Sequence, residues 1–229
     1  MKTIGLLGGM SWESTILYYR EINSFIKESM GGLHSAKCIL YSFDFYEIEE
    51  YQRDGNWEKA AEALAAAALK LERAGADFIV ICTNTMHKAA DEIQSRISIP
   101  ILHIAELTAD ELVKNGIKKA ALLGTKYTME QDFYRSKLTG RGIHVVIPDK
   151  DGIELVNKVI FDELCLGVVS QKSKREFLSV INDMASLGAE AVILGCTEIG
   201  LLISREDTQI PLFDTALIHA RKAAEYSVL

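Results

Sequence analysis

Short apolar runs alternate with longer amphipathic stretches along the whole chain. Two of the runs, at 77–82 and 190–194, contain almost no polar alternation, which is typical of parallel strands that are covered on both faces. Strands that alternate regularly with helices predict a parallel α/β architecture. The predicted strands span residues 2–7, 36–42, 77–82, 99–104, 119–123, 143–147, 190–194 and 210–213.

The stretches between these runs carry the signals of helix starts and ends. Ser11 is a predicted N-cap and Gly31-Gly32 a predicted stop for the first helix. Residues 44–55 are mixed and acidic, with a predicted turn at Asp54-Gly55. The predicted helices span residues 12–29, 57–73, 86–97, 105–115, a stretch from about 129, 151–165, 172–187, 196–202 and 214–226.

The second half of the chain repeats the first. Four anchors recur in the same order, 111 to 116 residues apart. They are Ile4 to Gly8 with Ala120 to Gly124, Ala74 to Ala76 with Leu187 to Ala189, Cys82-Thr83 with Cys196-Thr197, and Ile99 to Ile101 with Ile210 to Leu212. The repeat predicts two similar α/β lobes, each a parallel sheet flanked by helices, related by a pseudo-twofold duplication. We expect the first lobe to comprise 1–105 plus about 208–229, and the second 106–207.

Composition narrows the class of protein. The net charge of −7 disfavours nucleic acid or an anionic membrane as a partner, because both prefer a basic surface. No run is long enough for a transmembrane helix, and the apolar N-terminus lacks the features of a signal peptide, so we expect a cytoplasmic protein. The four cysteines form no CxxC pair and have no histidines spaced around them, so we expect reduced thiols and no metal site.

Cys82 and Cys196 stand where the two buried strands end and a helix is expected to begin. Ligands of open parallel sheets bind at this carboxyl edge, and a helix N-terminus is expected to lower the pKa of a thiol. Two thiols that face one substrate from opposite sides would suit stereoinversion at carbon, one removing a proton and the other delivering one. Donors suited to a carboxylate follow both cysteines: Thr83, Asn84, Thr85 and Thr197.

A single cysteine at a strand end is more often a small buried residue than a catalyst. The repetition of the Cys-Thr pair favours function, whereas Cys38 and Cys165 have no counterpart and are assigned to packing. His87 is expected on a helix surface, and the other four histidines show no partner pattern. The Gly8-Gly9-Met10 turn could approach a ligand, but it is no nucleotide-binding fingerprint.

These motifs together resemble the aspartate/glutamate racemase family over essentially the whole chain. The resemblance rests on residues 4–10 and on the segments around Cys82 and Cys196. It implies a two-lobed fold with the site between the lobes, no cofactor, a small amino-acid substrate and often a homodimer. It also implies that Cys82 and Cys196 are the catalytic acid/base pair. The implied substrate contacts are Met10, Gln52, Thr83, Asn84, Thr85, Thr125, Thr128, Thr197 and Glu198.

Two departures concern the substrate side chain. Aspartate-specific members use basic residues there, whereas residues 47–53 offer Gln52 and Arg53, and a second basic position near 165 holds Cys165. Residues 11–15 and 127–134 resemble the bacterial broad-specificity amino-acid racemases. Hydantoin racemase, maleate isomerase and arylmalonate decarboxylase remain alternatives on the same scaffold. A non-catalytic two-lobed binding protein is the alternative of another class.

Overall fold

A computed structural model describes all 229 residues as eight strands in two four-stranded parallel sheets flanked by helices. The prediction of an α/β fold with two similar lobes is confirmed. Both sheets have the same strand order, β2-β1-β3-β4 and β6-β5-β7-β8. The strands are β1 (Ile4–Gly8), β2 (Cys38–Ser42), β3 (Phe78–Ile81), β4 (Ile101–Leu102), β5 (Lys119–Gly124), β6 (His144–Val146), β7 (Ala191–Gly195) and β8 (Leu212–Asp214).

Eleven α-helices and three short 3-10 helices connect the strands. The α-helices are α1 (Trp12–Met30), α2 (Phe45–Arg53), α3 (Trp57–Arg73), α4 (Ala90–Gln94), α5 (Ile104–Lys114), α6 (Lys126–Glu130), α7 (Asp132–Thr139), α8 (Lys150–Asp162), α9 (Gln171–Ser186), α10 (Ile199–Leu202) and α11 (Thr215–Val228). The 3-10 helices span Thr85–Ala89, Leu164–Leu166 and Arg205–Asp207. No helix is both long enough and apolar enough to cross a membrane.

The first compact unit consists of Met1–Ile104 and His219–Leu229. Its central strands β1 and β3 are buried along their whole length, which explains their continuous apolar sequences. The alanine-rich α3 packs on one face of the sheet, because small side chains let a helix approach closely. On the other face, Phe78 meets Tyr226 of α11 edge to face, with ring centroids 4.9 Å apart.

The second unit consists of Ala105–Ile218. Its central strand β7 is also fully buried, and β5 is buried after its first residue. Helices α8 and α9 bury one side of the sheet through residues such as Ile160 and Phe177. The two units therefore follow the same construction, each with two innermost strands that are apolar apart from Lys119 at the start of β5.

The structure differs from the sequence predictions in three details. Residues 208–218 belong to the second unit, because β8 pairs with β7, so the predicted return at about 208 is too early. The acidic stretch 44–55 contains a helix, α2, which Asp44 caps by accepting a hydrogen bond from the Tyr46 amide at 3.1 Å. The helical segment after Cys82 opens as a 3-10 turn at Thr85 and ends at Gln94 rather than at residue 97, and the helix after Cys196 begins only at Ile199.

Candidate active site

The predicted site residues fall into two clusters, one at the carboxyl edge of each sheet. In the first unit β1 and β3 are neighbours, and the residues after them lie at the same edge. In the second unit β5 and β7 are neighbours in the same way. The Cys82 cluster comprises Met10, Gln52, Cys82, Thr83, Asn84 and Thr85, and the Cys196 cluster comprises Thr125, Thr128, Cys196, Thr197 and Glu198, all of them buried.

Backbone hydrogen bonds that extend the strand pairing hold Cys82. Its amide donates to the Leu7 carbonyl at 2.9 Å, and the next amide, of Thr83, donates to Ile81 at 2.9 Å. The Cys82 carbonyl accepts from the Ser14 hydroxyl at 3.4 Å, and the Cys82 sulfur lies 3.8 Å from the Val80 carbonyl. The side chain is fully buried. The backbone of Cys82 is therefore anchored to β1 and α1 by hydrogen bonds.

The turn between β1 and α1 requires glycine at position 9. Gly9 has a φ of +86°, and a Cβ there would lie 2.3 Å from the Phe43 carbonyl oxygen. The Gly9 amide donates to the Thr15 hydroxyl at 2.8 Å, and Ser11 accepts from the Ser14 amide at 3.3 Å as the predicted N-cap. This close-packed turn delivers Met10 to the same sheet edge as Cys82.

Gln52 and Arg53 at the end of α2 have opposite surroundings. Gln52 is buried, and its side-chain amide donates to the Met86 sulfur at 3.1 Å, just past the Cys82 cluster in sequence. Arg53 is half exposed and pairs with Glu49 at 2.7 Å. Of the two candidates for contacting a substrate side chain, the structure buries the neutral one and leaves the cation at the surface.

A carboxylate lies beside the second cysteine. The Cys196 thiol donates to Glu198 Oε2 at 3.0 Å, and the Thr197 hydroxyl donates to the same oxygen at 2.8 Å. On the neighbouring strand end, Thr125 caps α6 by accepting from the Thr128 amide at 3.3 Å, and the two threonine hydroxyls are 3.2 Å apart. The Thr197 hydroxyl therefore contacts the Cys196–Glu198 pair directly, and two further hydroxyls lie at the end of the neighbouring strand.

Two glycines allow these strand ends to approach closely. Gly124 and Gly195 are register partners on β5 and β7. A Cβ on Gly124 would lie 2.7 Å from the Gly195 carbonyl oxygen, and a Cβ on Gly195 would lie 3.3 Å from the Thr128 methyl. Thr128 thus packs over Gly195, immediately before Cys196. Within the motif Gly-Cys-Thr-Glu, the glycine is therefore required by the close packing, and the other three residues form the hydrogen bonds described above.

The expectation of low thiol pKa values is wrong. Burial raises the pKa of the Cys82 thiol. Burial also raises the pKa of the Cys196 thiol, and the Glu198 carboxylate raises it further. The helices that follow offer little compensation, because one is a 3-10 turn beginning at Thr85 and the other a four-residue helix beginning at Ile199. Both thiols are therefore in the protonated form at neutral pH.

His87 was expected on a helix surface, and this is wrong. The residue is buried, with Nδ1 2.7 Å from the Thr83 carbonyl oxygen and Nε2 accepting from the Ile104 amide at 3.2 Å. His219, for which the sequence indicated no partner, is also buried, 2.8 Å from the Tyr18 hydroxyl. No group of three or more His, Cys, Asp or Glu side chains is arranged to hold a metal ion.

Comparison with known proteins identifies the family. The family model described as Asp/Glu/Hydantoin racemase matches residues 7–223. The chain belongs to the Asp/Glu/hydantoin racemase family. It is accordingly an isomerase of the racemase type, and both cysteine clusters lie within the matched region.

Individual racemase relatives cover nearly the whole chain. The broad specificity amino-acid racemase RacX of Bacillus subtilis (strain 168) is 27% identical over 227 residues, 95% of each chain. The solved structure of a Yersinia pestis protein, provisionally named an Asp/Glu racemase, is 53% identical with a TM-score of 0.93. An aspartate racemase homologue from Pyrococcus horikoshii OT3 is 38% identical with a TM-score of 0.86. Both structures align over 100% of each chain.

Proposed function

We propose that this enzyme racemises α-amino acids by a two-base mechanism in which Cys82 and Cys196 act on opposite faces of one Cα. The observation that carries the proposal is the equivalence of the two cysteines. Each follows the buried third strand of its own unit, each precedes a threonine, and the two sheets have the same strand order. Membership of a racemase family supports the same conclusion.

In the proposed reaction one thiolate takes the Cα proton, and the electron pair of the C–H bond passes into a carbanion conjugated with the substrate carboxylate. The other thiol then donates its proton to the opposite face of Cα and becomes the thiolate. The substrate leaves with inverted configuration, and the two sulfurs have exchanged protonation states. The mechanism needs no cofactor, because the carbanion is stabilised by hydrogen bonds to its carboxylate.

The resting thiols must lose a proton before this reaction begins. Burial disfavours the thiolate at both cysteines. An amino acid brings an ammonium group, and a positive charge close to a thiol favours the thiolate. We therefore propose that substrate binding itself activates one cysteine. The proposed contacts for the carboxylate and ammonium groups are Met10, Thr83, Asn84, Thr85, Thr125, Thr128, Thr197 and Glu198.

We propose broad specificity rather than strict recognition of acidic amino acids. The buried residue of the α2 end is the neutral Gln52, whereas the cation Arg53 is exposed and paired with Glu49. An amide can donate to a side-chain carboxylate without demanding one, because it carries no charge that needs compensation.

Proton exchange in D2O tests the mechanism. Enzyme without added pyridoxal phosphate is expected to place deuterium at Cα of amino acids from a panel that includes aspartate, glutamate and neutral members. Cys82→Ala and Cys196→Ala should each abolish racemisation, because each face then lacks its acid or base. Cys38→Ala is the matched control and should retain activity. Racemisation that persists in the Cys82→Ala/Cys196→Ala double variant would refute the proposal, and turnover of only a hydantoin or a malonate would reassign the reaction.

We also propose that the enzyme is a cytoplasmic homodimer. Four free cysteines are usual for a reducing compartment. Trp12, Ile16 and Tyr19 are more than half exposed and follow one another at helical spacing on α1, so they form an apolar face suited to a second copy. Light scattering should give twice the chain mass, and Ile16→Glu should give the single-chain mass.

A further inference from the structure

Each of the two buried histidines of the first unit makes two hydrogen bonds that the proposed mechanism does not use. His87 connects the Thr83 carbonyl with the Ile104 amide. His219 connects the Leu102 carbonyl, at 2.9 Å from Nε2, with the Tyr18 hydroxyl, at 2.8 Å from Nδ1. The two rings are close, with centroids 5.6 Å apart.

The partners of His87 determine its tautomer. One ring nitrogen faces a carbonyl oxygen, which only accepts, and the other faces an amide N–H, which only donates. Only the neutral ring with its proton on Nδ1 satisfies both. By the same reasoning His219 carries its proton on Nε2, donating to Leu102, and accepts from Tyr18 at Nδ1. Each ring therefore acts as a directional connector between one donor and one acceptor.

His87 acts on the residue that follows the first cysteine. Hydrogen bonds of the strand edge fix the Cys82 and Thr83 amides, but the Thr83 carbonyl lies beyond the strand and receives its hydrogen bond from the His87 ring. This bond orients the Thr83–Asn84 peptide. Through Ile104 the same ring fixes the last residue of the first segment of the unit, where the chain leaves it.

The second unit has no counterpart of this histidine. The cysteine repeat of 114 residues places the exposed Leu201 at the position equivalent to His87. The same repeat places Glu198 at the position equivalent to Asn84. The loop after the first cysteine is thus bonded to a histidine ring through the Thr83 carbonyl, whereas the second cysteine has a carboxylate in direct contact with its thiol.

We propose that His87 is a positioning residue, whose ring fixes the Thr83 carbonyl and thereby the orientation of the Cys82–Asn84 backbone. The proposal concerns the Cys82 cluster alone and rests on the proposed function only for its effect on turnover. A loosened Cys82 loop would misplace a thiol relative to Cα, and misplacement by about 1 Å can cost about a hundredfold in rate. Binding should suffer less, because the other substrate contacts remain.

Two variants separate the two hydrogen bonds of the ring. His87→Asn places an amide N–H near the position of Nδ1 and keeps the donor to Thr83. His87→Gln places an amide oxygen near the position of Nε2 and keeps the acceptor for Ile104, while losing the donor to Thr83. We expect His87→Gln to lower kcat by about tenfold or more with little change in KM, and His87→Asn to retain most of kcat.

Thiol alkylation provides a readout that does not depend on turnover. The rate at which iodoacetamide modifies each cysteine is measured by peptide mass spectrometry, with Cys196 of the same sample as the internal control. In His87→Gln, Cys82 should react about tenfold faster, because a loosened loop exposes the buried thiol, and Cys196 should be unchanged. Equal effects of the Asn and Gln variants on Cys82, or equal changes at both cysteines, would overturn the proposal.

Nitrogen-15 NMR of the unaltered protein tests the geometry even where a variant does not fold. His87 should show a protonated Nδ1 and an unprotonated Nε2, and His219 the opposite. A protonated Nε2 on His87 would refute the assigned hydrogen bonds. If the wild-type protein racemises no amino acid but Cys82 alone becomes more reactive in His87→Gln, the proposed function fails and the positioning role stands. If it racemises amino acids but this change in reactivity is missing, the positioning role fails alone.

Discussion

The two cysteines differ in their nearest polar neighbour. Cys196 donates to the Glu198 carboxylate, and the position equivalent to Glu198 beside Cys82 is the uncharged Asn84. A carboxylate 3.0 Å from a sulfur opposes a second negative charge there. The two thiols therefore lie in unequal electrostatic surroundings, although the repeat makes them equivalent in sequence.

This difference predicts the effect of Glu198→Gln. Removing the negative charge should lower the pKa of the Cys196 thiol, because the repulsion that helps to raise it disappears. Alkylation of Cys196 at a fixed pH near 8 should become faster by about tenfold, which corresponds to about one pKa unit. Cys82 in the same sample is the matched control and should not change. An unchanged rate at Cys196 would mean that burial alone sets its pKa.

Sequence reasoning predicted the cysteines and threonines as site residues but did not predict the burial of His87. The cysteine motifs repeat within the chain, so each half corroborates the other. His87 has no such repetition, and its two ring partners, Thr83 and Ile104, come from different parts of the chain. Its burial is a property of tertiary packing, which the neighbouring residues Met86 and Lys88 do not encode.

At the level of secondary structure, the turn from β1 to α1 places the strongest steric demand on the sequence. Gly9 combines a positive φ with contacts that leave no room for a side chain, since its Cβ would lie 2.5 Å from the Phe43 amide nitrogen. Gly75 has a φ of +96°, but a Cβ there would meet nothing within 4 Å. Comparing substitutions at Gly9 and Gly75 therefore separates the cost of backbone strain from the cost of a steric clash.

Gly75→Ala should lower the free energy of unfolding by about 1–2 kcal/mol, the cost of the left-handed conformation alone. Gly9→Ala should cost at least about 3 kcal/mol, because the clash with the Phe43 backbone adds to the same strain. Urea unfolding measures both differences. Equal losses in the two variants would show that the turn relaxes around the new methyl group.

The pattern of strands was predictable because buried parallel strands are nearly continuous apolar runs, and both sheets have them at their centres. Helix α2 was missed because Ile48 and Gln52 are its only buried residues, so its apolar stripe is weak. The helices after the cysteines were overestimated because the polar residues there form 3-10 turns and loops. Short helices of this kind leave no periodic signal.

At the level of the whole molecule, the repeat explains the division of the chain into two units. The predicted return of the chain to the first unit, at about residue 208, was misplaced. Strand β8 follows a proline, like its counterpart β4, and pairs with β7 as β4 pairs with β3. The equivalence of β4 and β8 in the repeat therefore contained the information that 208–218 belongs to the second unit. Only the final helix, from His219 onward, returns to the first.

The buried histidines should make global stability depend on pH. Burial lowers the pKa of His219 to about 3, and burial together with the neighbouring His103 lowers the pKa of His87. In the unfolded chain both return to about 6.5. Above pH 6.5 both are neutral in both states and cost nothing. Below it the unfolded chain binds two protons that the folded protein excludes, so stability falls as the pH decreases.

Between pH 7 and pH 5 we expect the exclusion of a proton from His219 to lower the free energy of unfolding by about 2 kcal/mol, since a fully protonated histidine of the unfolded chain contributes about 1.4 kcal/mol per pH unit. The lowered pKa of His87 adds to this loss. The ring contacts of the two histidines are with His103, Tyr18 and each other, and their ring nitrogens bond to backbone groups and to Tyr18, none of which is a carboxylate that would offset this loss. Urea titrations across this range measure the slope of stability against pH, which His87→Asn should reduce. A flat profile, or an unchanged slope in that variant, would mean that the histidines bind protons within the folded protein.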